Sequence, residues 1–111
     1  LIYKIFRRPE WDAFRAAGQT PGAPVDLADG YIHMSTEAQL AETARRHFAG
    51  RGDLLLLTVD LSGFGDDLIW EPSRGGDLFP HLYAPLPVAA VTASRALSVA
   101  ADGAMAFEDD A

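Results

Sequence analysis

Residues 54–60, LLLLTVD, constrain the fold of this chain more than any other stretch. The run is apolar and β-branched, is bounded by Gly52-Asp53 and Ser62-Gly63, and has no polar face to offer water. It therefore reads as a central strand covered on both sides. With 49% hydrophobic residues in 111, the chain can supply that cover once, so a single domain over residues 1–111 is expected.

The neighbouring segments suggest what does the covering. Ile2 to Phe6, IYKIF, alternates and is β-rich, so it reads as a first strand. Pro9 suits a first helical turn, and Trp11, Phe14 and Ala17 recur at helical spacing up to Gly18. Residues 18–29, with their glycines and prolines, read as a loop. Tyr31 to Ser35 is the next strand. Thr36-Glu37-Ala38-Gln39 then matches a capping box, with Thr36 accepting from the backbone and Gln39 reaching back, and opens a helix to about Ala49. Leu40, Ala41, Ala44 and Phe48 would form the inner face of that helix, with Glu37, Glu42, Arg45 and Arg46 in water. Leu68 to Glu71 is a short strand, residues 72–87 with four prolines read as irregular, Val88 to Leu97 returns to strand, and Met105 to Phe107 has weak strand character. This predicts an α+β domain, a small split or curved, mostly antiparallel sheet with two main helices.

Charge and composition remove several functions. A net charge of −7 repels polyanions and argues against non-specific nucleic-acid binding. Part of it sits in an acidic C-terminal tail, about residues 102–111, expected to be solvated. The absence of cysteine excludes disulfides, thiolate zinc sites and cysteine nucleophiles. No apolar run reaches the roughly 20 residues of a membrane span, and nothing resembles a secretory signal, so no membrane partner and a cytoplasmic location are expected. The three histidines lack metal-ligand spacing, and no metal is expected. Gly63-Phe64-Gly65 reads as a turn, and His47 suits a helix C-terminus.

Two clusters could carry chemistry. In GYIHMST, residues 30–36, alternation sends Ile32 and Met34 to the core and Tyr31, His33 and Ser35 to the other side, beside a helix N-terminus suited to anions. His33 is a candidate catalytic acid or base, with Tyr31, Ser35 and Thr36 as ligand-binding candidates. The competing reading is that both hydroxyls are caps. The second cluster, WEPSRGGDLFPHLY, sets Trp70, Glu71, Arg74, His81 and Tyr83 among Gly75, Gly76 and prolines, as binding loops do. There Arg74 would clamp an anion, Trp70 or Tyr83 would stack, and His81 would be a second proton donor.

The segments IYKI, DGYIHMST, RHFAG, DLLLLTVD and LIWEPSRGGDLFPHLYAPLP, in that order from Ile2 to about Val91, resemble the small bacterial family called domain of unknown function 952. That resemblance implies a fold similar to the ADP-ribosyltransferases, a split sheet with an NAD cleft. Within that superfamily the RNA 2'-phosphotransferase type looks most similar, with Tyr31 to Ser35 in place of an H-x-H-x-S strand and Leu57 to Asp60 in place of V-L-x-V-D. The chain departs from the pattern at the first strand, where a histidine or arginine would fall near Tyr3 or Lys4, and at the late catalytic glutamate, since Glu71 stands on an earlier strand.

The expectation is a cleft for a small anionic ligand, a nucleotide or NAD-derived molecule, with transferase-like group transfer there left open. The alternatives are a non-catalytic ligand-binding or protein-interaction module, or a buried polar network of His33, Glu71, Arg74 and His81 that fixes the loop.

Overall fold

The computed structural model describes residues 1–73 and 76–108. Its strands and helices run β1 (Ile2–Arg7), α1 (Arg8–Ala17), β2 (Gln19–Thr20), α2 (Pro24–Asp29), β3 (Ile32–His33), β4 (Ser35–Thr36), α3 (Glu37–Phe48), β5 (Leu54–Val59), β6 (Leu68–Pro72), β7 (Leu78–Leu82), β8 (Leu86–Pro87), β9 (Val91–Val99) and β10 (Met105–Glu108). A curled antiparallel sheet of five strands in the order β10-β9-β5-β1-β4 forms the frame, with β3-β7-β6 and β2-β8 as smaller sheets. The α+β class is as expected.

The LLLLTV strand is central and covered on both faces. Leu55, Leu57 and Val59 pack on one side with Phe6, Trp11, Phe14, Ile32, Met34, Leu82 and Leu86. On the other side Leu54 and Leu56 pack with Ile5, Leu40, Ala44, Leu97 and Val99. β1 alternates in the same way, which sets its register beside β5 from Ile2 opposite Val59 to Arg7 opposite Leu54.

All three helices start alike. The side chain at the third helical position accepts the N–H of the residue before the helix: Glu10 from Arg7 at 2.8 Å, Asp26 from Ala23 at 2.7 Å and Gln39 from Thr36 at 3.1 Å. In α3 the stripe Leu40, Ala44 is buried and Phe48 half-buried, but Ala41 is exposed. One residue on from Leu40, it is turned about 100° around the helix.

Four further expectations about the elements need correction. Residues 18–29 are not all loop: they contain β2 and a third helix, α2, whose Pro24 opens the first turn and whose Asp26 closes the cap. Residues 72–87 are not irregular either, since they hold β7 and β8. Pro80 fits inside β7 because its carbonyl, accepting from Met34 N–H at 3.1 Å, faces the side where β3 pairs only at Ile32 and His33. The missing N–H points the same way, past the end of that short ladder. Third, Val88–Ala90 is a 3-10 turn, so β9 begins at Val91. Fourth, the acidic end is a solvated tail only in part: Asp102 lies in a turn, and residues 105–108 form β10 beside β9. Asp109 and Asp110 lie outside the described residues.

The expected strand 31–35 is divided between two sheets. His33 pairs with His81 of β7, whereas Ser35 pairs with Tyr3 of β1, and Met34 is the step between them. β4 pairs only with Ile2 and Tyr3, so among the described residues β1 has no strand neighbour on that side from Lys4 onward. This opening lies between the two larger sheets. No described helix is long and apolar enough to cross a membrane.

Leu57, fully buried in the middle of β5, tests the two-sided core. Leu57→Ala is expected to cost about 2–5 kcal/mol in urea unfolding, the range for a large-to-small change that leaves a cavity. A loss below about 1 kcal/mol would contradict this packing.

Candidate functional site

The site begins with a glycine. Gly22 has φ +113°, and a Cβ there would lie 2.5 Å from the Cβ of Asp26, so only glycine lets the Asp26 side chain lie against this turn. Asp26 Oδ2 accepts from Ala23 N–H at 2.7 Å and meets Lys4 Nζ at 2.8 Å. Its Oδ1 takes the backbone N–H of His33 at 3.0 Å and faces His33 Nδ1 at 2.6 Å. Lys4 Nζ donates in addition to the His33 carbonyl at 2.8 Å. Asp26 is 1% exposed and Lys4 8%. Burial would raise the Asp26 carboxyl, but the His33 and Lys4 donors outweigh it and hold the group below its ordinary value. Burial likewise pulls the Lys4 ammonium below its ordinary value, against the charge of Asp26.

The second ring nitrogen of His33, Nε2, faces Asp29 Oδ2 at 2.9 Å. Only a doubly protonated ring donates to both carboxylates. Across the ladder His81 stands edge-on to His33, with ring centroids 5.4 Å apart, and Tyr31 stacks on His81 at 4.2 Å. Strand alternation puts Phe79 and His81 of β7 on this face, with Glu71 of β6 diagonal to His81, and Tyr83 follows just past the end of β7. Glu71 Oε1 lies 2.9 Å from His81 Nδ1 and accepts from the Tyr83 hydroxyl at 2.5 Å. Those two bonds hold Glu71 below the usual carboxylate range, and the one to Glu71 pushes the Tyr83 phenol up to about 12. With Nδ1–H given to Glu71, a neutral His81 carries its lone pair on Nε2.

Both imidazoles line a cleft of about 810 Å3 that opens along the free side of β1, between α2 and α3. Lys4, Arg7, Arg46 and Arg51 line it, four of the nine Lys and Arg in the chain, against Glu10 and Asp29 among the described acids. A chain of net charge −7 thus places cations along this cleft, with Lys4 paired to Asp26, Arg7 to Glu10 and Arg46 to Glu42. Among the described residues no group of three or more His, Asp or Glu is placed to hold a metal ion.

Of the candidates named from sequence, Tyr31, His33, Glu71, His81 and Tyr83 come together. Ser35 lines the cleft, but its hydroxyl is 2.9 Å from that of Thr43 on α3. Thr36 serves the start of α3, where its N–H is held by Gln39. Trp70 falls on the opposite face of β6 from Glu71, as neighbours on a strand must, and so stands apart from the cluster. Gly76, at φ +86°, donates its N–H to Ser73 at 2.8 Å and belongs to the turn before β7. Arg74 and Gly75 lie outside the described residues. Sequence reasoning missed Lys4, Asp26 and Asp29. Lys4 had a signal, being the only lysine of the chain and set inside an apolar strand. Asp26 had one too, an acid two residues after a helix-opening proline.

A family model described as protein of unknown function, DUF952, matches residues 5–94. The chain belongs to this family. The crystal structure of protein CC0527 from Caulobacter crescentus superposes with a TM-score of 0.88 at 51% identity, covering 95% of this chain and 92% of that one. The solution NMR structure of CC0527 gives 0.81 at 53% identity, over 93% and 89%. None of the curated proteins matches the chain. Neither the family nor these structures carries an established activity.

Removing the charge of Asp26 leaves Lys4 buried without its counter-ion. Asp26→Asn is expected to cost about 3–5 kcal/mol in urea at pH 7, and the Lys4→Met/Asp26→Asn pair less than Asp26→Asn alone. Because the folded carboxyl titrates below its unfolded value, its stabilisation is complete above about pH 4 and is lost as pH falls through the folded value. Asp26→Asn should therefore flatten the acid limb of a Tm-against-pH curve. In a phenolate absorbance titration, the Tyr83 component near 12 should return toward 10.0 in Glu71→Gln, and an unmoved component would rule out the Tyr83–Glu71 bond.

Proposed function

We propose that the cleft binds a small phosphorylated ligand of the nucleotide class and that His33 and His81 act on it as an acid and base pair. One observation carries this reading: two imidazoles 5.4 Å apart, each braced by a carboxylate, open onto a cleft lined by four basic side chains. His81, its Nδ1 fixed by Glu71, would take a proton at Nε2, and His33, whose two ring nitrogens face Asp26 and Asp29, would bind the anion or give a proton up. Tyr31 and Tyr83 would hold the imidazoles in place.

The free side of β1 and the split between the sheets are features an ADP-ribosylation-type cleft would have, and they support that finer assignment of the fold. The residues present fit the anionic part of such a ligand. They do not fit NAD in the way the resemblance implies: Lys4, at the first-strand position, is engaged by Asp26 and the His33 carbonyl, and Glu71 by His81 and Tyr83. What these residues can do on such a ligand is bind it and move a proton.

A non-catalytic binding module is the second reading, and one observation favours it: both ring nitrogens of His33 are already held by carboxylates. Titration with millimolar ADP, ADP-ribose and NAD, followed by backbone NMR, tests both readings. Shifts at residues 33, 35 and 81 that vanish in His33→Ala are expected, and no shift with any of the three sinks the anion site. Binding with no turnover of NAD or of a 2'-phosphorylated RNA favours the module. Where turnover is found, His81→Ala should slow it by about 10²–10⁴-fold, as for loss of a general base.

A further inference from the structure

We propose that α2 is a strap along one wall of the cleft, latched by Asp29, whose carboxylate faces His33 Nε2 where an incoming anion would bind. The proposal rests on the anion-site reading of the cleft and adds to it an internal competitor.

The apolar residues of α2 do not hold it down. Among its six residues the buried one is a charged side chain, Asp26, while Val25 and Leu27 are each 59% exposed. Most short helices are held by an apolar face packed on the fold. This one is held through its carboxylates, Asp26 to Lys4 and His33, and Asp29 to His33.

The two attachments differ in kind. Asp26 is buried and meets donors from β1, β3 and its own helix cap, so it is a fixed pivot. Asp29 makes its 2.9 Å contact from a side chain 46% exposed, at the cleft wall, so it can be released. Gly22 at φ +113° and Gly30 at φ +87° flank the helix with backbone able to absorb a change of direction. Asp26, Asp29 and Lys4 are the charges facing His33, with the rings of Tyr31 and His81 beside it and Glu71 behind His81.

A phosphate oxygen offers Nε2 the same acceptor and charge as Asp29 does. Once phosphate takes that donor, Asp29 is left next to a second anion with no cation between them, and the end of α2 turns away about Asp26. Asp29 therefore excludes weak anions, and binding by a strong one opens the strap.

The experiment uses the whole chain, inorganic phosphate and ADP as probes, and amide exchange at Leu27 and Gly30, whose N–H groups donate within and just after α2 to Ala23 and Asp26. Without ligand, Asp29→Ala should speed exchange at both amides by about tenfold or more, as for a local opening. It should also tighten phosphate binding by about fivefold or more, the low end of ordinary coupling between sites. Asp29→Asn, which keeps an acceptor but loses the charge, should exchange close to wild type. Unchanged exchange in Asp29→Ala overturns the latch. Equal gains in phosphate affinity for Asn and Ala, with exchange unmoved in both, would mean plain charge repulsion and overturn it as well. Faster exchange with no binding of phosphate or ADP to either protein overturns the anion site, and with it the competitor role.

Discussion

The arrangement of the site depends on one buried ion pair. Lys4 and Asp26 lie at the point where β1, α2 and β3 meet, and each has further partners there: Lys4 the carbonyl of His33, Asp26 its backbone and ring N–H groups. Taking two charges out of water is costly, and an apolar pair would hold these elements together at least as well. An apolar pair has no direction. The ion pair fixes where the His33 backbone lies and which way its ring turns, and the ring is then edge-on to His81 at a set distance. Geometry of this sort is what a site needs if its groups are to work on one molecule.

Much of the fold could be read from the sequence because the burial pattern is strict. Leu54 to Val59 has to lie between two apolar layers, and Trp11 with Phe14 and Leu40 with Ala44 supply them at helical spacing. The parts that could not be read are those in which a local rule gives way to a partner elsewhere. Residues 24–29 carry proline and two acids, a poor helix by composition, yet a helix forms because Asp26 caps it from within and is then buried against Lys4. Pro80 argues against a strand in isolation, and becomes harmless only because β3 stops at His33.

The site was legible to the extent that it follows strand alternation. That rule alone places Tyr31, His33 and Ser35 on the side opposite Ile32 and Met34, and it also separates Trp70 from Glu71, although a loop reading of the same residues would group them. What alternation cannot give is the partner of each group. Ser35 faces the cleft as expected, yet its hydroxyl is turned to Thr43, eight residues on along the next helix. Nor does spacing reveal that two carboxylates three residues apart on α2 would close on one imidazole from both sides.

The short β4 has a consequence outside ligand binding. A strand whose hydrogen-bonding side is left open is normally an invitation to another chain, and proteins cover, shorten or charge such sides to stay apart. Beyond Tyr3, β1 has such a side, but it faces inward, with α2 on one flank, α3 on the other and Lys4 and Arg7 along it. The gap along β1 is therefore guarded on both flanks. Those walls stand between β1 and a foreign strand, so the open side of β1 is shielded from edge-to-edge pairing with another chain.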